Sequence, residues 1–170
     1  MQQDYQKFLV VALISVLVIG LDQYTKHLVV TSMPLYERIE LIPGVLDLIH
    51  IRNSGIAFGL LKQFGSQYKL AAMLLISAVA LVLLAVLVTQ VKKHQKLQLL
   101  CLSLILGGAV GNLIDRFRLG EVVDFIDAHW RNLYHWPAFN VADSAITVGI
   151  VLMLLDELVL KKKQNAQRKI

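Results

Sequence analysis

Apolar residues fall along this chain in four long blocks, not at the spacing of a helix with one wet face. The blocks are about Phe8–Val30, Leu70–Val91, Leu97–Ile114 and Ala138–Leu160. Crossing the hydrocarbon core of a bilayer takes roughly 20 mostly apolar helical residues, so each block predicts a spanning helix. The first is strongly apolar only from Phe8 to Leu21, where "DQYTKH" interrupts it; the second is the cleanest; the third ends in small residues. Lys7 ahead of the first block resembles the start of a secretory signal. No small-x-small cleavage site follows, and Asp22 and Lys26 come directly after, so a retained helix is expected.

Two polar segments separate the blocks. In the first, about Thr31–Lys69, "RIELIPGVLDLIHIRNSG" mixes Ile and Val with turn formers and predicts short strands around Pro43-Gly44. Gly55, Gly59 and Gly65 follow and would permit motion of this piece. The second, about Asp115–Pro137, is rich in Asp, Arg and aromatics; Trp130, Tyr134 and Trp136 suit the headgroup level, where aromatic belts form. There is no internal repeat and no low-complexity stretch. The expected organisation is a single membrane domain over residues 1–170.

Composition agrees. Hydrophobic residues make up 56% and charged residues 17% of the chain, with a mean hydropathy of +0.62, more apolar and less charged than a soluble domain. The formal charge of +5 does not indicate nucleic acid. Eight of the 17 lysines and arginines cluster at the ends of apolar blocks, Lys92, Lys93 and Lys96 between two blocks and Lys161, Lys162, Lys163, Arg168 and Lys169 in the tail, while those of the outer segments are spread out and mixed with acids. A short basic loop and a basic tail place both termini in the cytoplasm, and such clusters also suit anionic headgroups. The single Cys101, inside an apolar block, has no partner for an internal disulfide and no spacing for a thiolate metal site.

Ionisable residues inside a span cost about 2.5–3.5 kcal/mol each at its centre, less near the ends, and need a partner or a use. Here the ionisable and amide side chains of the spans and their connections gather at one face. Asp22 and Lys26 close the first block; Asn112, Asp115 and Arg116 close the third; Asn140 and Asp143 open the fourth; Asn53 and Asp124 lie in the connecting segments. Asp22 and Lys26, four apart, could be a plain ion pair with Lys26 snorkelling. Gly107 and Gly111 have the spacing of close helix packing. In "NVAD", Asn140 can cap a helix and Asp143 can be the acid three positions on, so cap and catalyst stand level for Asp143. Neither a His-Glu-x-x-His nor a Gly-x-Ser-x-Gly motif is present, and His27, His50, His94, His129 and His135 are scattered. By elimination the outer-face carboxylates are the best catalytic candidates, since two carboxyls sharing a proton can activate water and protonate a leaving group. A proton relay in a small transporter is the alternative.

Five blocks in order carry a resemblance over nearly the whole chain: "LDQYTK" (Leu21–Lys26), "RNSGIAF" (Arg52–Phe58), "GGAVGNLIDR" (Gly107–Arg116), "GEVVDFID" (Gly120–Asp127) and "FNVADSAITVG" (Phe139–Gly149). Together they resemble the bacterial lipoprotein signal peptidases, the type II signal peptidases. That resemblance implies an aspartic endopeptidase of the bacterial inner membrane. It would remove signal peptides from prolipoproteins, just before a cysteine already carrying diacylglycerol. It implies four transmembrane helices, an extracytoplasmic strand-rich cradle in the Thr31–Lys69 piece and a short extracytoplasmic helix in the Asp115–Pro137 piece. The dyad carried over is Asp124 and Asp143, with Asn53, Asn112, Arg116 and Asn140 as polar residues around it, Asp22 and Lys26 in a structural role, and Asp115 and Gly107 beside them. The implied partners are the lipidated precursor and membrane lipid; no metal or cofactor is implied, and a monomer would suffice.

Overall fold

The computed structural model describes residues 2–54, 66–131 and 133–167. In chain order the elements are α1 (Gln2–Ser32), β1 (Arg38–Ile42), β2 (Leu46–Asn53), α2 (Ser66–Gln90), α3 (Lys96–Leu119), β3 (Val122–Trp130), β4 (Tyr134–His135) and α4 (Val141–Gln167). Gly55, Gly59 and Gly65 lie outside the described residues.

Among the described residues, three helices are long and apolar enough to cross a membrane: Tyr5–Ser32, Tyr68–Gln90 and Lys96–Leu119. α4 is long enough too, but Asp143, Asp156 and Glu157 interrupt its apolar run. α3 continues five residues past the expected end at Ile114, because helical hydrogen bonds are indifferent to the polarity of Asp115 and Arg116. It stops at Gly120, whose φ of 75° is left-handed and whose N–H donates to Arg116 O at 3.0 Å. α3 is the central helix, packed against α1, α2 and α4. Between α1, α2 and α3 the core gathers Val11, Val88, Leu99 and Leu102.

Small residues let α3 approach its neighbours. A Cβ on Gly107 would stand 2.9 Å from Ser15 O of α1, and one on Gly111 would stand 2.7 Å from Asp22 Oδ2. A Cβ on Gly108 would collide with the Ala142 carbonyl of α4. Across the α1–α3 contact the Ser15 hydroxyl donates to Ser103 O at 2.9 Å.

At one end of the helices sits an antiparallel sheet in the order β1-β2-β3-β4. β1 and β2 form the expected hairpin around Pro43-Gly44, with Gly44 at φ 73° and Val45 N–H donating to Ile42 O. β2 then pairs with β3. The short outer helix expected in the Asp115–Pro137 piece is not there among the described residues: that piece finishes α3 and supplies β3 and β4. "VVDFIDAHW" is rich in β-branched and aromatic residues, and β2 offers it an unpaired edge, so strand pairing wins. Phe125 packs with Val29 and Met33 of α1, flanked by Leu48, Ile126 and Val141, and this apolar cluster seats the sheet on the helix ends. His50 Nδ1, 2.8 Å from Met33 O, ties β2 to the end of α1.

Candidate active site

Asp124 lies mid-strand in β3, opposite Ile51 of β2, and is only 1% exposed. Asn53, at the end of β2, pairs with Val122. It is therefore the diagonal neighbour of Asp124 on one face of the sheet, and its amide donates to Asp124 Oδ2 at 2.8 Å. The carbonyl of Phe139 accepts the N–H groups of both Phe125 and Ile126, at 3.1 and 2.9 Å. That clamp delivers the next residue, Asn140, beside Asp124.

Asn140 then does two jobs with one side chain. Its Oδ1 accepts the Asp143 N–H at 2.8 Å, which is the N-cap of α4. Its Nδ2 donates to Asp124 Oδ1 at 2.7 Å. Asp143, in the first turn of α4, is held from a different helix: Asn112 of α3 donates to its Oδ1 at 2.7 Å. Asn140 Nδ2 also reaches Asn112 Oδ1 at 3.2 Å. The two carboxylates are thus joined through the amides of Asn140 and Asn112. The asparagine that caps α4 grips Asp124, and Asn112 grips Asp143.

Behind this bridge, Lys26 does not snorkel. It is buried, with Asp22 Oδ2 and Asp115 Oδ2 each 2.8 Å from its amine and Asn112 Oδ1 at 3.0 Å. Asp22 Oδ1 accepts the Ala142 N–H at 2.9 Å, so α1 also caps α4. Asp115 Oδ2 accepts the Val123 N–H at 3.1 Å and so anchors β3 one residue before Asp124. Gln23, which lies in the "LDQYTK" block but outside the expected site residues, donates to Asp115 Oδ1 at 2.8 Å and lies 3.2 Å from both Asp22 Oδ2 and Gly111 O. Its sequence signal is its place in that block, next to Asp22. Arg116 reaches Asn112 O at 3.4 Å, and its buried Nε meets no partner among the described residues.

The carboxyl of Asp124 is pushed up from 3.8 to about 6. Burial is the main cause, and the negative charge of Asp143 adds to it; the amides of Asn53 and Asn140 and the charge of Lys26 pull the other way. A carboxyl raised this far keeps its proton to a higher pH than an ordinary aspartate, which suits one member of an acid–base pair.

A second polar cluster lies within the sheet. Asp47 and Asp127 face each other across β2 and β3 and share Arg38, with Arg38 Nη2 2.8 Å from Asp127 Oδ2. His129 stacks on His135 at 4.8 Å, their nitrogens reaching Asp47 and Asp127 at 3.2 and 3.0 Å. Burial pushes the Asp47 carboxyl up, but the close approach of His129 and the hydrogen bond from Arg38 outweigh it and hold the group below its ordinary value. These residues pin the strands together away from the carboxylate pair. Among the described residues no three His, Cys, Asp or Glu side chains group to hold a metal ion.

Comparison with known proteins gives the same direction. A family model described as signal peptidase (SPase) II matches residues 14–159. The chain is 48% identical over 149 residues to a lipoprotein signal peptidase of Syntrophotalea carbinolica, covering 88% of this chain and 91% of that one. It is 42% identical over 165 residues to that of Geobacter metallireducens, covering 97% and 98%. Two solved structures titled as bacterial membrane enzymes each superpose with a TM-score of 0.77, at 36% and 34% identity. The first covers 88% of this chain and 92% of the other, the second 92% and 90%.

Proposed function

This chain belongs to the signal peptidase II family, and from that premise we propose that it removes signal peptides from diacylglyceryl-modified prolipoproteins as an aspartic endopeptidase. Asp124 and Asp143 are the catalytic pair. Holding one proton between them, one carboxylate takes a proton from water while the other, protonated, polarises the scissile carbonyl. Water oxygen bonds to the carbonyl carbon. The C–N bond then breaks, and the amine nitrogen of the lipidated cysteine leaves with a proton from the acid. Asn53 and Asn140 hold Asp124, and Asn112 holds Asp143.

The observation that supports this reading best is the amide-bridged pair of carboxylates, Asp124 buried and Asp143 half-buried, where the helices meet the sheet. We read α4 as a fourth span beside the other three, with both termini in the cytoplasm and the pair at the extracytoplasmic surface of the bacterial inner membrane. The whole of residues 1–170 then forms one membrane domain that acts as a monomer. At that depth a diacylglyceryl chain can lie in the bilayer while its cysteine reaches the carboxylates. The confinement of Asp22, Asp115, Asp124 and Asp143 to one end of the bundle, and the name the relatives bear, leave the proton-relay alternative without support.

The test uses purified wild type, Asp124→Asn and Asp143→Asn in detergent, with a lipidated and an unlipidated precursor and a chelator present. Wild type shortens only the lipidated precursor, and each variant loses at least about a thousandfold in rate. Cleavage by both variants at the wild-type rate would leave Asp143 as a helix cap and overturn the aspartic mechanism.

A further inference from the structure

At the end of the helices away from the carboxylate pair, a groove of about 430 Å³ opens between the start of α1 and the turn into α3. Its wall is mostly apolar: Leu9 and Val10 from α1, and Leu99 from α3. Its rim is not. Lys7, Lys93 and Lys96 line the same groove. Among the described residues, no carboxylate lies within salt-bridge distance of these three amines. Lys7 is buried, and its ammonium donates to Thr89 O and Val91 O, at 2.9 and 3.0 Å, closing the last turn of α2. Lys93 and Lys96 are exposed and line the same opening, where the Lys93 amine donates to Gln6 Oε1. The first turn of α3 carries no acid, and its N-cap Gln95 makes no side-chain cap. Asp156 of α4 lines an adjoining groove that also includes Lys96, and accepts from Gln98.

The arrangement has a direction. Lys96 begins α3 and Leu99 lies one turn further in, so the groove runs from a positive rim toward the apolar middle of the helices. A buried charge without a counter-charge is costly, and a free anion in water would gain nothing from the apolar wall. One molecule offers both halves in that order: a phosphate, then an acyl chain. We propose that this groove is a binding site for an anionic phospholipid, with its phosphate between Lys93, Lys96 and the buried Lys7, and one acyl chain along Leu9, Val10 and Leu99.

The experiment uses the full chain in mild detergent, with native mass spectrometry of adducts formed with phosphatidylglycerol or phosphatidylcholine of the same acyl composition. The comparison variant is Lys93→Gln/Lys96→Gln, which spares the Lys7 bonds. A charge-matched control, Arg118→Gln/Arg131→Gln, removes two cations at the other end. Wild type and control should retain phosphatidylglycerol over phosphatidylcholine. The lysine double variant should lose about 10- to 30-fold of that preference, the factor expected for two lysine–anion contacts. Equal retention of the two lipids, or an equal loss in both double variants, would mean diffuse charge attraction and overturn the site. If glycerol phosphate, which has no acyl chain, competes as well as the lipid, the apolar half is wrong and the proposal fails.

Discussion

Asp124 is where the energetics of the site concentrate. A carboxyl whose folded-state value stands above its ordinary one binds its proton more readily in the folded chain. Its effect on stability is therefore absent below about pH 4. It turns unfavourable as pH rises through that range and reaches its full cost above about pH 6, where the buried group must ionise. The displacement from 3.8 to about 6 corresponds to on the order of 2–3 kcal/mol. Asp124→Asn keeps the shape and removes that charge. Thermal unfolding in detergent should find the inactive variant more stable than wild type at pH 8, with the gap closing toward pH 4. A constant gap across that range would mean that the carboxyl is not held under strain. The same titration shapes catalysis. With both carboxyls protonated there is no base, and with both ionised there is no acid, so kcat/KM should fall on either side of a maximum. Its alkaline limb belongs to the release of the shared proton, and Asn53→Ala should move that limb upward, because the amide of Asn53 favours the ionised form.

α4 shows how an element and a site can share atoms. Asn140 was legible as a cap because Asn, then an acid three positions on, then an apolar run is a helix start whatever follows. That its other amide end grips Asp124 was not legible, since β3 reaches it through the Phe139 clamp. Two substitutions separate the roles. Asn140→Ala loses both the cap and the grip and should cost about 1 kcal/mol in stability together with most of the turnover. Asn140→Ser keeps a capping oxygen but is too short to donate to Asp124, so the melting temperature should return to near wild type while turnover stays at least about tenfold low. Turnover that recovered along with stability would reduce Asn140 to a cap. The strands divide in the same way. The β1–β2 hairpin could be read because Pro43-Gly44 is a local signal flanked by Ile and Val. β3 could not, because its partner strand is remote: Asn53 and Asp124, which it brings together, are 71 residues apart. A segment dense in Asp, Arg and aromatics does not reveal the edge on which it will pair.

At the scale of the whole molecule, the polar blocks of the sequence could be placed at one face by counting spans, but not wired to one another. The wiring passes through Lys26, a residue that reads locally as half of an i,i+4 pair with Asp22. In the folded chain its amine joins Asp22 of α1 to Asp115 and Asn112 of α3, and those residues in turn fix the start of α4 and of β3. Three helices and the sheet therefore depend on one buried cation. Replacing it with an apolar residue of similar length strands two buried carboxylates, a change that costs about 3–5 kcal/mol when one partner of a buried pair is removed. Lys26→Met should accordingly show a large drop in melting temperature in detergent. Adding Asp22→Asn removes one stranded charge while leaving an oxygen that can still accept the Ala142 N–H, so Lys26→Met/Asp22→Asn should be more stable than Lys26→Met alone. That ordering is the opposite of what two independent destabilising changes would give. If the double variant melts below the single one, the loss comes from packing around Lys26 and not from unbalanced charge, and the view of Lys26 as the electrostatic hub of the fold is wrong.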